Sequence, residues 1–361
     1  MTANETSGAK IPVGVLGATG SVGQRFVSLL ADHPWFELVA VTASDRSAGR
    51  PYGAVARWSL PTPVPEPVAA MTVLETTGPL PCRLLFSALD AAVAGPVEAA
   101  LARGGHWVVS NAKSHRMDPL VPLVVPEVNP GHLDLVARQP FDGALVTNHN
   151  CSTIGLALVL APLEAAFGVE AVSVVTLQAL SGAGIPGVPA LLALDNVIPL
   201  IAGEEEKLET ETRKIFGSLG DGGIDPSGMV VSAQCNRVAV SDGHTECVSV
   251  RLRERVPLDA VRQVLEGFAP QATSGLPSAP ERPILLASEA DRPQPRLDRD
   301  ADRGMAVTVG RVRSCPLFDL KLVALSHNTL RGAAGGSLLV AELAVARGVF
   351  DVAPPDAGVS S

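Results

Sequence analysis

The first thirty residues contain a hydrophobic run, a glycine-rich turn and an amphipathic segment in direct succession. "IPVGVLG" predicts a buried strand and "SVGQRFVSLLAD" a helix, with GATGSVG, residues 17–23, between them. Glycines at such a turn let a diphosphate approach main-chain N–H groups at a helix N-terminus. The GxxGxxG spacing is a variant of the commoner GxGxxG, but its place at the first strand-to-helix turn favours a dinucleotide site. The expected contacts are Gly17, Thr19, Gly20, Ser21 and Val22.

Strand and helix patterns alternate as far as residue 150, and right-handed crossovers would join such strands into a parallel sheet. Longer alternating runs such as "EAVSVVTLQAL" follow, and they favour a mixed sheet with one buried face. The predicted fold class is α/β: a Rossmann-type doubly wound domain over 1–150, completed by a C-terminal helix over 329–361, and an α+β domain over 151–328. We expect frayed ends at residues 1–9 and over the last ten residues, and a surface loop over 269–304.

The residues at the end of the second predicted strand are expected to contact the ribose of the cofactor, so they indicate whether it is NAD or NADP. An acid there accepts from a 2′-hydroxyl, whereas small polar residues with an arginine accommodate a 2′-phosphate. Ser44, Arg46 and Ser47 suit the phosphate of NADP, while Asp45 suits NAD or points outward. Both interpretations stay open, and we favour NADP.

Composition excludes several classes of function. The net charge of −9 is spread over 361 residues without a basic block, so nucleic-acid binding has little support. No apolar run reaches the roughly 20 residues that span a bilayer, and a membrane protein is not expected. The five cysteines form no CxxC pair, which suits a reducing cytoplasm, and we predict no metal site.

The stretch "TNHNCSTIGLAL" places Cys151 at the predicted start of a helix, with Asn150 as its N-cap. The helix dipole and free N–H groups there would lower the pKa of the thiol, which favours a nucleophile. A buried structural cysteine is the alternative. The polar neighbours of Cys151 favour the nucleophile.

A thiolate nucleophile needs a proton donor and acceptor, and seven histidines are available. His244 follows a Ser-Asp-Gly turn between two predicted strands, where scaffolds present catalytic side chains, and Arg237 lies seven residues earlier. Spacing alone does not show that either residue meets Cys151. "GEEEKLETETRKIFG" predicts a helix, and its charges alone favour a solvated face paired through Glu204, Lys207 and Glu211.

Several motifs in the same order resemble the aspartate-semialdehyde dehydrogenases over nearly the whole chain. The motifs are "GATGSVGQRF", "SNAKSHRMDPLVPLVVPEVN", "NHNCSTIGL", "LQALSGAG", "GEEEKLETET", "CNRVAVSDGHTE" and "GRVRSCPLFDLKLVALSHNTLRGAAGGS". The forms "SNAKSHR" and "LSHNTLRGAAGGS" are more similar to the archaeal and fungal branch than to the enterobacterial one. Asp45 and Asp90 depart from that branch, which often has proline there, and Asp45 could weaken a preference for NADP.

The resemblance implies a role for each matching residue. Cys151 would be the nucleophile and His244 the general acid/base, while Arg237 holds the substrate carboxylate, Gln178 orients the acyl group and Glu204 receives the ammonium. The phosphate would contact Asn111, Arg116, Asn150 and Lys207. The cofactor's nicotinamide end would lie at Gly182, Gly184 and Asn328, and we also assign Ser87 to the cofactor site.

The implied reaction is the NADPH-dependent reductive dephosphorylation of 4-aspartyl phosphate to aspartate semialdehyde through a cysteine thioester. This step serves the biosynthesis of lysine, through diaminopimelate, and of threonine, methionine and isoleucine. The resemblance also suggests a homodimer or homotetramer assembled through the second domain. The alternatives are malonyl-CoA reductase, another acyl-phosphate reductase on the same scaffold, and a non-catalytic cofactor sensor.

Overall fold

The computed structural model describes residues 9–351, in two units that each contain a seven-stranded sheet. The predicted frayed ends, residues 1–9 and the last ten, lie outside these residues except for Ala9, which is exposed. The C-terminal part of the predicted segment 329–361, beyond residue 351, also lies outside them. No helix within residues 9–351 combines the length and the apolar character needed to cross a bilayer.

The first sheet is parallel throughout and has the order β3-β2-β1-β4-β5-β7-β6. Its strands are β1 (Ile11–Leu16), β2 (Phe36–Ala43), β3 (Leu74–Glu75), β4 (Leu84–Ser87), β5 (Trp107–Ser110), β6 (Leu123–Val124) and β7 (Ala144–Asn148). The helices of this region are α1 (Ser21–Leu30), α2 (Tyr52–Val55), α3 (Glu66–Ala69) and α4 (Ala91–Arg103), with a 3₁₀ segment at Pro130–Arg138. The doubly wound prediction is confirmed.

Both faces of this sheet are buried. Alternate residues of each strand point to opposite faces, so one strand contributes to two cores. Val13 and Val15 pack into a core with α1, whereas Leu16 and Leu85 pack on the other face with Leu101 of α4. Buried runs on both faces explain why these strands read as continuous hydrophobic segments rather than alternating ones.

The second sheet is mixed and has the order β14-β15-β16-β13-β8-β12-β9. Its strands are β8 (Val169–Gln178), β9 (Val197–Ile198), β12 (Val230–Val238), β13 (His244–Leu252), β14 (Ile284–Leu286), β15 (Val307–Ser314) and β16 (Leu320–Ser326); β10 (Ser218–Gly220) and β11 (Gly223–Asp225) form a separate hairpin. The helices that follow residue 150 in the chain are α5 (Thr153–Phe167), α6 (Ala190–Ala193), α7 (Glu204–Ile215), α8 (Leu258–Glu266), α9 (Pro295–Asp298), α10 (Ala301–Gly304) and α11 (Gly335–Ala346). There are also 3₁₀ segments at Leu180–Ala183 and Gln271–Thr273 and a π-turn at Leu330–Ala334.

The predicted surface loop over 269–304 is wrong in part. Residues 284–286 form β14, which pairs in parallel with β15 at the edge of the second sheet. Three residues are too few to show the two-residue period of a strand. The strand is defined instead by its hydrogen bonds to β15.

The last helix, α11, returns to the first unit. Leu338, Leu339 and Leu343 are buried in the same core as Val13 and Phe26. The π-turn that leads into α11 therefore crosses from one sheet to the other, and it passes directly behind Cys151.

Candidate active site

A cleft of about 370 Å³ opens where the ends of β4, β5 and β7 of the first sheet approach β8 and β12 of the second. Residues from both units line it: Ser21, Val22, Leu89, Ala91, Asn111, Ala112, Lys113, Arg116, Asn150, Cys151, Gln178, Ser181, Gly182, Gly184, Glu204, Lys207, Arg237, Asn328, Thr329, Gly332 and Ala333. Most of the predicted site residues are among them, although they are spread over more than 300 residues of sequence.

Cys151 lies in the turn between β7 and α5. The Asn150 side chain caps this turn, since its Oδ1 accepts from the Ser152 N–H at 2.9 Å, but α5 begins only at Thr153. Behind the turn, a Cβ on Gly332 would lie 2.9 Å from the Cys151 Cα, closer than real Cβ atoms approach. The π-turn therefore holds the nucleophile's backbone from the rear and leaves its sulfur facing the cleft.

His244 is the nearest titratable partner of the sulfur, with Nε2 at 3.2 Å from Cys151 Sγ. Its Nδ1 accepts from the Ala179 N–H at 3.1 Å, which assigns the ring proton to Nε2. Burial lowers the pKa of His244 to about 3, and the charge of Arg237 adds to the effect. The ring is thus neutral and points a donor at the sulfur.

The expected thiolate is wrong for the site without substrate. The pKa of Cys151 is raised to about 12, chiefly by burial and also by the Glu204 carboxylate, while Arg116, Arg237 and Lys207 act in the opposite direction. A helix N-terminus acts on residues of its first turn, and Cys151 precedes that turn. Burial and a nearby negative charge therefore outweigh the local effect that sequence suggested.

Arg237 and Gln178 end two neighbouring parallel strands in direct register, which places both at the same edge of the second sheet. Arg237 Nη1 donates to the Ala179 carbonyl at 2.7 Å, and a Cβ on Gly182 would meet the same nitrogen at 2.9 Å. The absence of a side chain at residue 182 leaves the guanidinium and the imidazole of His244 open to a ligand.

Helix α7 is not the solvated helix that its charges suggested. Glu204 is 8% exposed and Glu211 is 1% exposed. Glu204 accepts from Asn150 Nδ2 at 2.8 Å and pairs with Lys207, while Glu211 accepts from the Asn150 N–H at 2.6 Å. Burial raises the pKa of Glu204, but its hydrogen bonds from Lys207 and Asn150 outweigh burial and keep that pKa lowered. The carboxylates of Glu204 and Glu211 therefore face the turn that carries Cys151.

Arg116 and Asn111 lie in the segment after β5. Arg116 Nη1 donates to Glu211 Oε1 at 2.8 Å and Nη2 to the Asn111 carbonyl at 2.7 Å, whereas its buried Nε has no partner. Asn111 Oδ1 accepts from Asn148 and Ser337, so its amide also braces the framework. Arg116 and Lys207 both line the cleft, the first from the segment after β5 and the second from α7.

Two family models cover most of the chain: residues 12–136 match the semialdehyde dehydrogenase NAD binding domain, and residues 160–331 match the semialdehyde dehydrogenase dimerisation domain. The aspartate-semialdehyde dehydrogenase of Methanothermobacter thermautotrophicus is 52% identical over 92% of this chain and 98% of its own length. The chain belongs to the aspartate-semialdehyde dehydrogenase family. The predicted resemblance is confirmed.

Fungal and structural relatives agree. The aspartate-semialdehyde dehydrogenase of Saccharomyces cerevisiae is 48% identical over 95% of this chain and 100% of its own. The crystal structure of the Candida albicans aspartate-semialdehyde dehydrogenase with NADP is 45% identical, covers 95% of this chain and 100% of its own, and superposes with a TM-score of 0.88. The archaeal and fungal character expected from the motifs is therefore confirmed as well.

The cofactor edge of the cleft fits a dinucleotide. Gly17 has φ +71° and a Cβ there would lie 2.7 Å from the Ala88 carbonyl, while Gly20 precedes α1 without a side-chain cap. The first N–H groups of α1 are thus not bound by a capping side chain and suit a diphosphate. Thr19 lies within this turn, and Ser44, Arg46 and Ser47 follow β2 in a turn with exposed Asp45.

At the opposite end, Asn328 Nδ2 donates to Ser181 Oγ at 2.8 Å and its Oδ1 accepts from the Gly243 N–H at 2.9 Å. Gly184, with φ +68°, faces Ser21 across the cleft. The predicted nicotinamide-end residues therefore lie near His244, through Gly182, and opposite α1, through Gly184.

Ser87 does not suit its assigned cofactor contact. It is fully buried, and its hydroxyl donates to Glu98 Oε1 at 2.6 Å. Ser110 donates to the same oxygen at 2.7 Å, so the side chains at the ends of β4 and β5 share one carboxyl. Burial raises the pKa of Glu98 despite both hydrogen bonds. Ser87 therefore supports the strand end rather than touching a ligand through its hydroxyl.

Sequence reasoning missed the residues that act from behind the site. Glu211 and Lys214 hold Arg116 and its segment, Gly332 packs against the backbone of Cys151, and Glu98 binds the hydroxyl of Ser87. One signal was present: charged residues at 204, 207, 211 and 214 recur on one face of a helix, with alternating sign. That pattern is as consistent with a buried polar face as with a solvated one.

Proposed function

We propose that this protein is an NADP-dependent aspartate-semialdehyde dehydrogenase that reduces 4-aspartyl phosphate to aspartate semialdehyde through a thioester on Cys151. The observation that carries the proposal is the 3.2 Å approach of His244 Nε2 to Cys151 Sγ beside a cleft that Arg116, Lys207 and Arg237 also line. A covalent nucleophile, a donor and anion holders are what acyl-phosphate chemistry requires.

The substrate's charged ends have separate partners in this proposal. Arg237 binds the α-carboxylate with a planar guanidinium, and Glu204 receives the ammonium. Arg116 and Lys207 bind the phosphate, with Asn111 and Asn150 beside them, and the unpartnered Nε of Arg116 is a donor still available to an anion. Gln178, buried at the end of β8, orients the acyl group. Pinning both ends leaves the acyl carbon over the sulfur.

The chemistry proceeds in balanced steps. The Cys151 sulfur attacks the acyl carbon, the bond from carbon to phosphate oxygen breaks, and the thiol proton leaves with the inorganic phosphate. When bound, NADPH supplies the hydride that reduces the thioester carbonyl. His244 Nε2–H then donates to the new oxyanion and takes that proton back as the bond between carbon and Sγ breaks, which releases the aldehyde and leaves a thiolate that regains its proton from solvent.

We also propose NADP over NAD, on the strength of Arg46 between two serines in an exposed turn after β2. A guanidinium and hydroxyl groups there are suited to a 2′-phosphate. Asp45 is exposed in the same turn and can point to solvent. The crystal structure of the Candida albicans relative with NADP is consistent with this choice.

A homo-oligomer built through the second unit completes the proposal, with 1–150 plus the C-terminal helix as one domain and 151–328 as the other. The segment between β8 and α7 exposes a run of large apolar side chains, Ile185, Leu191, Leu192, Leu194, Val197 and Leu200. On the second sheet, Val175 and Val323 are half-buried and Cys247 is exposed within residues 9–351. Contiguous apolar surface of this kind favours a second copy as partner. A cytoplasmic location suits the five free cysteines.

One assay tests the proposed function. Purified protein is given aspartate semialdehyde with NADP or NAD, in the presence and absence of inorganic phosphate, and NADPH or NADH formation is followed. We expect reduction of NADP that depends on phosphate. Activity that requires coenzyme A instead would support a malonyl-CoA reductase, and activity only with another semialdehyde would support a different acyl-phosphate reductase. Cofactor binding without turnover would support the sensor.

A further inference from the structure

Lys214 is a buried cation on α7 whose partners are all main-chain carbonyls. It is 3% exposed, and Nζ donates to the carbonyl oxygens of Arg116 at 2.6 Å, Asp118 at 2.8 Å and Val121 at 2.8 Å. An ammonium has three N–H donors, so every donor is used. All three acceptors belong to a single six-residue segment, 116–121.

That segment carries Arg116, which the proposed function places on the phosphate. Its guanidinium is held by Glu211, three residues before Lys214 on the same face of α7. One helix face therefore grips both the side chain of Arg116 and the backbone that bears it. We propose that Lys214 is a positioning residue for the phosphate subsite, which fixes residues 116–121 so that Arg116 stays in the cleft; this inference rests on the proposed function.

The charge of Lys214 matters to this grip. A neutral amine has two N–H donors, so deprotonation leaves one of the three carbonyls without its partner. Burial lowers the pKa of Lys214 to about 8, while the carboxylates of Asp118 and Glu211 act in the opposite direction. Arg116 and His132 are the other charged or titratable groups close to it. The grip is thus complete below pH 8 and loosens as the pH rises through that value.

The test measures KM for phosphate in the full-length enzyme, with aspartate semialdehyde and NADP held constant, for Lys214→Met, Lys214→Arg and the matched control Lys10→Met at an exposed lysine. We expect Lys214→Met to raise KM for phosphate about tenfold, with KM for aspartate semialdehyde and NADP within about twofold of wild type. Lys214→Arg keeps the charge and should recover part of the loss. A folded Lys214→Met with unchanged KM for phosphate would overturn the inference.

A second measurement needs no variant, and it decides the matter if Lys214→Met fails to fold. In the wild-type enzyme, KM for phosphate should rise from pH 8 to pH 9.5 while KM for aspartate semialdehyde changes less. A flat phosphate profile over that range excludes the role. If wild type shows no phosphate-dependent activity at any pH, the proposed function fails first, and the role of Lys214 fails with it.

Discussion

Glu204 accepts a hydrogen bond from Asn150 Nδ2 at 2.8 Å, which ties the first residue of α7 to the residue that precedes the nucleophile. The carboxylate stays charged there and raises the pKa of the Cys151 thiol. In the proposed complex the substrate ammonium pairs with this carboxylate, so substrate binding would also relieve its effect on the sulfur.

Glu204→Gln should therefore change two properties in opposite directions. Removal of the negative charge lowers the pKa of Cys151, and alkylation of the free enzyme by iodoacetamide at pH 7 should become several-fold faster. Turnover should fall, because the substrate ammonium loses its partner. The measurements are the alkylation rate by mass spectrometry and KM for aspartate semialdehyde. Slower alkylation in the variant would contradict the electrostatic account.

Cys151→Ser should abolish covalent catalysis and leave the fold intact. We expect kcat to fall about a thousandfold or more, with NADP affinity and the unfolding temperature close to wild type. Cys315→Ser, in the loop between β15 and β16, is the matched control and should keep wild-type turnover. Near-normal turnover of Cys151→Ser would remove the nucleophile from the mechanism.

Gly332→Ala should displace Cys151 by pushing on its backbone. The new Cβ would lie 2.9 Å from both Cα and Cβ of Cys151, so the turn must move. A shift of about 1 Å in a reacting group costs about a hundredfold in rate. Gly131→Ala, where a Cβ meets no atom within 4 Å, is the control. Equal activity of the two variants would contradict this prediction, because it would show that the π-turn can move without displacing Cys151.

The pH dependence of alkylation tests the protonation states directly. With the pKa of Cys151 raised to about 12, the thiolate fraction of the free enzyme should increase about tenfold per pH unit from pH 7 to pH 9. His244, with its pKa lowered to about 3, should contribute no inflection over that range. A plateau reached below pH 7 would mean that the sulfur is already ionised without substrate.

Local patterns were sufficient to predict the two kinds of sheet and the glycine turn, because strand period and turn chemistry depend on neighbouring residues. The ionisation of Cys151 was not predictable in this way. A helix end acts on its own first turn, whereas the burial of the sulfur and the charge of Glu204 are brought in by segments 50 or more residues away. The same limit explains α7, whose buried face is decided by what packs on it rather than by its charge spacing.

Ser87 marks a further limit of motif reasoning. The segment "FSAL" ends a strand at the edge where a cofactor is expected, and a hydroxyl there is a natural donor. Glu98, eleven residues later in α4, turns that hydroxyl inward. A buried carboxyl below the end of a strand produces no periodic pattern in the sequence. Only the tertiary structure shows whether the Ser87 hydroxyl contacts a ligand or a buried side chain.

The return of α11 to the first sheet bears on how the chain matures at the ribosome. Leu338, Leu339 and Leu343 fill the core around Val13 and Phe26, so the strands of the first sheet lack part of their packing until α11 has been translated. The second sheet, whose strands end at Ser326, can close earlier. A nascent chain released before residue 335 would expose apolar surface on its amino-terminal half, and chaperone capture is the expected fate of such fragments.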